Sequence, residues 1–273
     1  MQVVNLDRTS ETWVGTFPGV GTVSVDPDGS FEVTLDPIDD AESAQNRVRA
    51  LTHGWAEPMA LARRGFRFIN GAALCPSPDD SPDSDRCLVL HGDINHVALV
   101  LVEMIRRGWS LMSDRITPAT VDDGILIAHP HPAPILLSKR LATKYELGGD
   151  RARDDTNAVI VDVPRCAAPR RVVAHASVGF RRPKETVLTP LSGHARFNSA
   201  AGLMLAGVLA PFDADISVEE RARKSMAEQL RFAQLPCADV RLDEDPTGAI
   251  DALVQWWTEA TTVNEPRNPG VNR

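Results

Sequence analysis

The chain has 273 residues, of which 43% are hydrophobic and 24% charged, and its net charge is −8. This is the composition of a folded globular protein and excludes a disordered or fibrous one. The acidic balance argues against a general nucleic-acid binder, which needs a basic surface to displace phosphate counterions, and no run approaches the roughly 18 apolar residues of a membrane span.

The first residues, MQVVNLDRTSE, have neither a basic start nor an apolar signal core, so the expected address is cytoplasmic, with no nucleic-acid or membrane partner. Four cysteines, Cys75, Cys87, Cys166 and Cys237, show no C-x-x-C spacing. Each has apolar or Pro/Ala neighbours, which favours buried reduced thiols over a zinc or redox pair.

From Thr12 to Leu35, apolar and polar letters alternate between the turn signals PGVG and DPDGS, which predicts two or three antiparallel strands. From Asp36 to Ala62 the period becomes helical, with Ala44, Val48, Leu51 and Trp55 on one face, and a second short helix follows from Met59 to Arg63. Phe66 to Leu74 reads as a strand. Pro76 to Arg86, rich in Pro and Asp, reads as a solvated loop.

The organising stretch is RCLVLHGDINHVALVLVEMIRRGWSLMSDR, Arg86 to Arg115. Cys87 to Leu90 is an apolar strand, His91 to Asn95 a polar loop, Val97 to Arg107 a helix stopped by Gly108, and Ser110 to Ser113 a second strand. This predicts two parallel strands of one mixed sheet joined through the helix, because such a crossover has the right length and both strands are continuously apolar. The helix start, placed near His96, is expected to leave backbone N–H donors for an anion.

In order and spacing this stretch resembles the HPr serine kinase family, which shares a P-loop fold with phosphoenolpyruvate carboxykinases. The resemblance rests on the strand, the loop, the helix ending in RRGW and the following SLMSD, and extends in outline from about Met59 to Trp257. It implies G-x-x-x-x-G-K-[ST] in the loop and two aspartates after the second strand. Here His91 and His96 stand at the glycine positions, Val97 at the lysine and Ala98 at the Ser/Thr, while Asp114 is followed by Arg115. Val97 cannot neutralise a phosphate and Ala98 cannot hold Mg²⁺, so conventional Mg-ATP transfer at this loop is not expected. Phe66 to Leu74 occupies the place of a family strand, with Asn70 and Gly71 where His and a small residue are usual.

Downstream, Thr117-Pro118, the VDDG turn and ILIAH predict a hairpin, and His129-Pro130-His131-Pro132 a Pro-rich turn whose two histidines share a side if the segment is extended. Tyr145 to Asn157 reads as a polar loop, Ala158 to Val163 and Arg171 to Arg181 as strands, with His175 a satisfied core or edge histidine. Helices are expected at Gly193 to Ala210 and from the capping box Ser217-x-x-Glu220 to about Gln234. Cys237 to Asp243 reads as a strand, and a last helix runs from Pro246 through Trp257 into a disordered tail.

The sequence reading is therefore an α/β fold with a central mixed sheet and a P-loop-like strand-loop-helix, plus N-terminal antiparallel strands. Residues 1–58 form an accessory region, 59–258 the α/β domain and 259–273 the tail. The candidate catalytic residues are His91, His96, Asp114 and Arg115, and the candidate ligand-binding residues Gly92, Asp93, Ile94 and Asn95, with no metal site or cofactor named. The leading expectation is a degenerate HPr-kinase-like protein that binds a peptide or protein partner or a small anionic ligand. Two alternatives stand beside it: an enzyme with a rebuilt His/Asp/Arg site, and a kinase using Arg115, Arg86 or Lys139 in place of the lysine. A homo-oligomer is left open.

Overall fold

In the computed structural model the described residues are 5–7, 11–37, 40–76, 85–131, 135–144, 158–161, 163–182, 185, 187–203, 218–243 and 246–263. The chain divides into two compact units, one of residues 1–67 with 206–221 and the other of residues 68–205 with 222–273.

In the first unit the alternating segment folds as a four-stranded antiparallel meander: β1 Asn5–Asp7, β2 Trp13–Phe17, β3 Gly21–Val25 and β4 Phe31–Leu35. β3 shows why the period is two, since Gly21, Val23 and Val25 are buried and Thr22 and Ser24 are not. Helix α1, Ala41–Leu51, passes through a π-helical turn, Thr52–Ala56, into α2, Glu57–Arg63. Leu51, Ala56 and Met59 pack with Phe17, Val23 and Val25 into one core, so α2 is cored with the N-terminal strands.

The second unit is α/β. Its strands are β5 Arg67–Asn70, β6 Ala72–Cys75, β7 Arg86–Gly92, β8 Ser110–Ser113, β9 Ile116–Asp122, β10 Ile125–Ala128, β11 Ile135–Ser138, β12 Ala158–Val161, β13 Arg170–Phe180, β14 Leu188–Leu191 and β15 Cys237–Leu242. Its helices are α3 Ile94–Arg106, α4 Lys139–Lys144, α5 Gly193–Ala201, α6 Val218–Gln234 and α7 Thr247–Val263. The mixed sheet runs β5-β9-β10-β13-β7-β6-β8, with β15 also on β13 and β14 on β15; β11 and β12 pair separately.

The strands β7 and β8 are parallel and in one sheet as expected, both antiparallel to β6, which lies between them. They are therefore not neighbours. The predicted strand Phe66–Leu74 divides at Gly71 into β5, beside β9, and β6. A Cβ at Gly71 would stand 2.6 Å from the Leu90 carbonyl oxygen, so only glycine lets the chain cross there. The β9–β10 hairpin turns on Asp123 and Gly124, both at positive φ as its two-residue turn requires.

Both faces of the sheet are covered. Leu88 and Leu90 face α3 and α7 with Leu101, Met104, Ile250 and Trp257, while Cys87 and Val89 face the other way with Ala200 and Phe232. That two-sided burial is why β7 reads as a continuous apolar run. On β13 a bulge between Val172 and Ala174 flips the alternation, so Val172 faces the second core and Ala174, Ala176 and Val178 the first.

Two expectations change at the ends of helices. Helix α7 continues to Val263, where Thr261 is buried and its Oγ1 donates to the Trp257 carbonyl, so the start of the expected tail is helical. Helix α5 ends at Ala201 rather than Ala210; residues 204–217, with the Ser217 cap, lie outside the described residues, as do 77–84, 132–134 and 145–157.

Leu101 is fully buried on α3, so Leu101→Ala should cost about 3 kcal/mol of unfolding free energy by urea titration. Ile94→Ala, at a position 48% exposed, should change it by less than about 0.5 kcal/mol.

Candidate functional site

The strands β7, β13 and β15 are mutually parallel, so their carboxyl ends meet at one edge, where open α/β sheets place ligands. Strand register sets His91, Ser177 and Asp239 side by side on the face opposite α3, with His175 and Cys237 one step behind. Helix α5 supplies Ser199, whose Oγ stands 3.3 Å from His91 Nε2 and accepts from Cys237 Sγ at 3.3 Å. Ser199 thus links His91 and Cys237 across the cluster. Ser177 Oγ donates to Asp239 Oδ1, and Arg241 Nε donates to Asp239 Oδ2 at 2.7 Å, so this carboxylate is held on both oxygens.

The two imidazoles lie 5.7 Å apart, and His175 Nε2 is 3.2 Å from the Phe232 carbonyl oxygen. Burial pulls His91 down to about 4 despite the nearby Asp239, and pulls His175 down to about 3, helped by His91. Both are neutral at pH 7. The expected satisfied histidine is met on one side only: His175 is buried and its Nε2 is bonded, while its Nδ1 is buried without a hydrogen-bond partner.

The residues singled out from the sequence fall into three groups. His91 turns toward α5. Gly92, at φ 128°, carries the chain past β13, where a Cβ would stand 2.2 Å from the Val178 carbonyl oxygen. Asp93 is the N-cap of α3, which therefore begins at Ile94 and not at Val97. Its Oδ1 accepts from Asn95 N at 3.0 Å and His96 N at 3.3 Å, and its carbonyl accepts from Val97 N. His96 Nδ1 is 2.9 Å from the same Oδ1. The donors expected to be open to an anion are thus occupied by the chain's own carboxylate. Ile94 and Asn95 are exposed, and the His96 ring lies 6.1 Å from Phe180, itself 60% exposed.

Asp114 and Arg115 stand beyond β6, paired at 3.6 Å, with Arg115 in the left-handed region at φ 64°. Burial pushes the Asp114 carboxyl up, while Arg115 and Arg165 pull it back. Among the described residues no hydrogen bond or ion pair joins this group to His91 or to Asp93–His96. Arg86 lies at the opposite end of β7 from the loop, and Lys139 begins α4 beside the small separate sheet.

Sequence reasoning missed Ser177, Ser199, Cys237, Asp239 and Arg241. A usable signal lies in AHAS and CADVR, where polar letters recur every second residue near the ends of otherwise buried strands. It also missed that Cys75, Cys87 and Cys166 gather in one core beside Arg170, where a hydrogen bond from Cys75 pulls the Cys166 thiol down and burial pushes Cys87 up. All four cysteines are buried and reduced, and among the described residues no group of three His, Cys, Asp or Glu side chains is placed to hold a metal.

Fold and site thus define an α/β protein whose polar cluster sits at the carboxyl ends of parallel strands. No protein-family model matches the chain, and neither does any curated protein. Among solved structures it is similar to the HPr(Ser) kinase/phosphatase from Coxiella burnetii, at 12% identity and a TM-score of 0.37, over 71% of this chain and 97% of that one. Likeness at that level carries no conclusion about activity. No helix of the described residues is long and apolar enough to cross a membrane.

The neutral histidines give a pH prediction. They take up a proton near 6.5 in the unfolded chain but only near 4 and 3 when folded, so the unfolded state binds more protons between these values. Their stability contribution is complete above pH 6.5 and is lost as pH falls toward 4 and 3, at about 1.4 kcal/mol per pH unit per histidine. Urea midpoints from pH 7 to 4.5 should fall steeply in the wild type and less steeply in His91→Asn; equal slopes would remove His91 from the effect.

Proposed function

We propose that this chain is a binding protein of degenerate HPr-kinase-like design, whose phosphate loop is closed and whose strand-end surface takes a peptide or protein partner. The observation that carries this reading is the Asp93 cap. A phosphate needs the backbone donors of a helix start, and here two are bonded to a carboxylate that also repels an incoming anion. No lysine side chain arises within the loop to offset that charge. Beside the closed loop, Phe180 and Ile94 expose apolar surface, 60% and 48%, next to polar groups that are already bonded. That combination favours a partner's side chain over a nucleotide.

The reading as a rebuilt enzyme draws on the contact of His91 with Ser199. A base whose conjugate acid has a pKa of about 4 is a poor proton acceptor at neutral pH, so the contact favours a structural tie over an activated nucleophile. The reading as a kinase with a substitute cation is weakened by distance, since Arg86 is at the far end of β7, six rises or about 20 Å from Gly92.

Calorimetric titration of the wild type with Mg-ATP should give no saturable heat up to millimolar nucleotide, and a micromolar Kd would sink the closed-loop reading. Asp93→Ala should cost about 1 kcal/mol of stability through the lost cap and still not confer nucleotide binding. For the partner surface, random-peptide display on the wild type should enrich clones that lose binding to Phe180→Ser, while that variant keeps its urea midpoint. Clones that never distinguish the two proteins would remove Phe180 from the surface.

A further inference from the structure

The amino end of the same sheet carries a feature that the proposed function does not use. β13 bonds β10 through Arg170 and Arg171 and bonds β15 only from His175 onward, so β10 and β15 diverge along one edge of β13. The bulge at Val173 falls in the gap between them. The result is a cavity of about 310 Å³, closed at its sides by the last turns of α6 and α7. That volume is at the lower end of the range of small-molecule sites.

Its lining has two kinds of surface. Ile125, Leu126, Val172, Leu235 and Pro236 give apolar walls, and Arg86, Arg171 and Arg231 also line it, with no carboxylate among the described lining residues. Asp85 stands 3.6 Å from Arg86 Nε and 3.7 Å from Arg171 Nη2, and its side chain is 64% exposed. Arg86 is 7% exposed and donates through Nη1 to the Thr261 carbonyl at 3.5 Å. Arg171 Nε is buried without a hydrogen-bond partner. Asp85 thus pairs with Arg86 and Arg171, while Arg231 has no ion pair among the described residues, in a protein whose overall charge is −8. Concentrating positive charge in a half-apolar cavity of an acidic protein is costly unless an anion offsets it.

We infer that this cavity, where β10 and β15 part along β13, is a binding site for a small organic carboxylate. The guanidinium forks of Arg171 and Arg231 match a carboxylate in plane and in charge, and the apolar walls accept the remainder of the molecule. A bare inorganic anion fits less well because it would leave the apolar walls without an occupant. The inference is independent of the closed loop at the other end of the sheet.

Calorimetry with 4-methylpentanoate and phenylacetate, with the neutral amide of each, and with inorganic phosphate tests it on the full chain. At least one acid should bind saturably with a Kd below about 1 mM. Its amide and inorganic phosphate should bind at least tenfold more weakly, and so should the acid to Arg171→Gln. Phe180→Ser should bind the acid as the wild type does. Where Arg171→Gln fails to fold, Arg231→Gln gives the same comparison. Absence of any saturable acid below 1 mM, equal binding of acid and amide, equal binding of phosphate, or an unchanged Kd in the folded arginine variant would each overturn the inference.

Discussion

Strand β13 is the constraint on which the second unit depends. It bonds β7 in parallel along one edge and β10 and then β15 along the other, and it is buried on both faces. One bulge, between Val172 and Ala174, decides what each half of the strand presents. Without it, His175 and Ser177 would turn into the α3–α7 core among Leu90, Val240 and Trp257, where an imidazole and a hydroxyl would find no partner. With it, they join His91, Cys237 and Asp239 on the opposite face, where His175 Nε2 and Ser177 Oγ find partners. The bulged residue, Val173, also lines the arginine-bearing cavity at the strand's beginning.

The loop after β7 joins a strand end to a helix whose first donors the chain itself satisfies. Gly92 is held because β13 leaves no room for a Cβ, and the chain that leaves it must turn at once into α3. A helix that starts this abruptly needs its first donors satisfied. A nucleotide-binding protein leaves that task to the ligand, whereas here Asp93 performs it and His96 sits on the same oxygen. Val97 and Ala98 offer neither a cation nor a hydroxyl beside this cap, and the cap stabilises the helix without any ligand.

The parts of this structure legible in the sequence are those decided by neighbours in the chain. Continuous apolar letters in β7 and β8, alternation in β3, and Asp123-Gly124 in its hairpin each reflect a local rule, and each element formed. The start of α3 is also legible, because Asp93 followed by a helical period is an N-cap signal; the apolar run taken alone starts the helix at Val97 instead. What could not be read was pairing across distance. Nothing near Ala72 says that β6 inserts between β7 and β8, and nothing near Ser199 says that it will face His91. Cys75, Cys87 and Cys166 look scattered because antiparallel pairing and a chain return bring them together, and neither leaves a trace in local spacing.

The two ends of the sheet also differ in how their charge is settled. At the carboxyl end every charged group with a role in the cluster has an internal partner: Asp239 with Ser177 and Arg241, Asp93 with the start of α3 and His96, and the two histidines are neutral. That surface can meet a partner without first being neutralised, which suits apolar contact through Phe180. At the amino end, the exposed Asp85 pairs with Arg86 and Arg171, and Arg231 lines the same cavity with no ion pair among the described residues. Desolvation penalises an excess of buried charge more than it penalises a balanced cluster. An anion is therefore worth more at the amino end than at the capped start of α3.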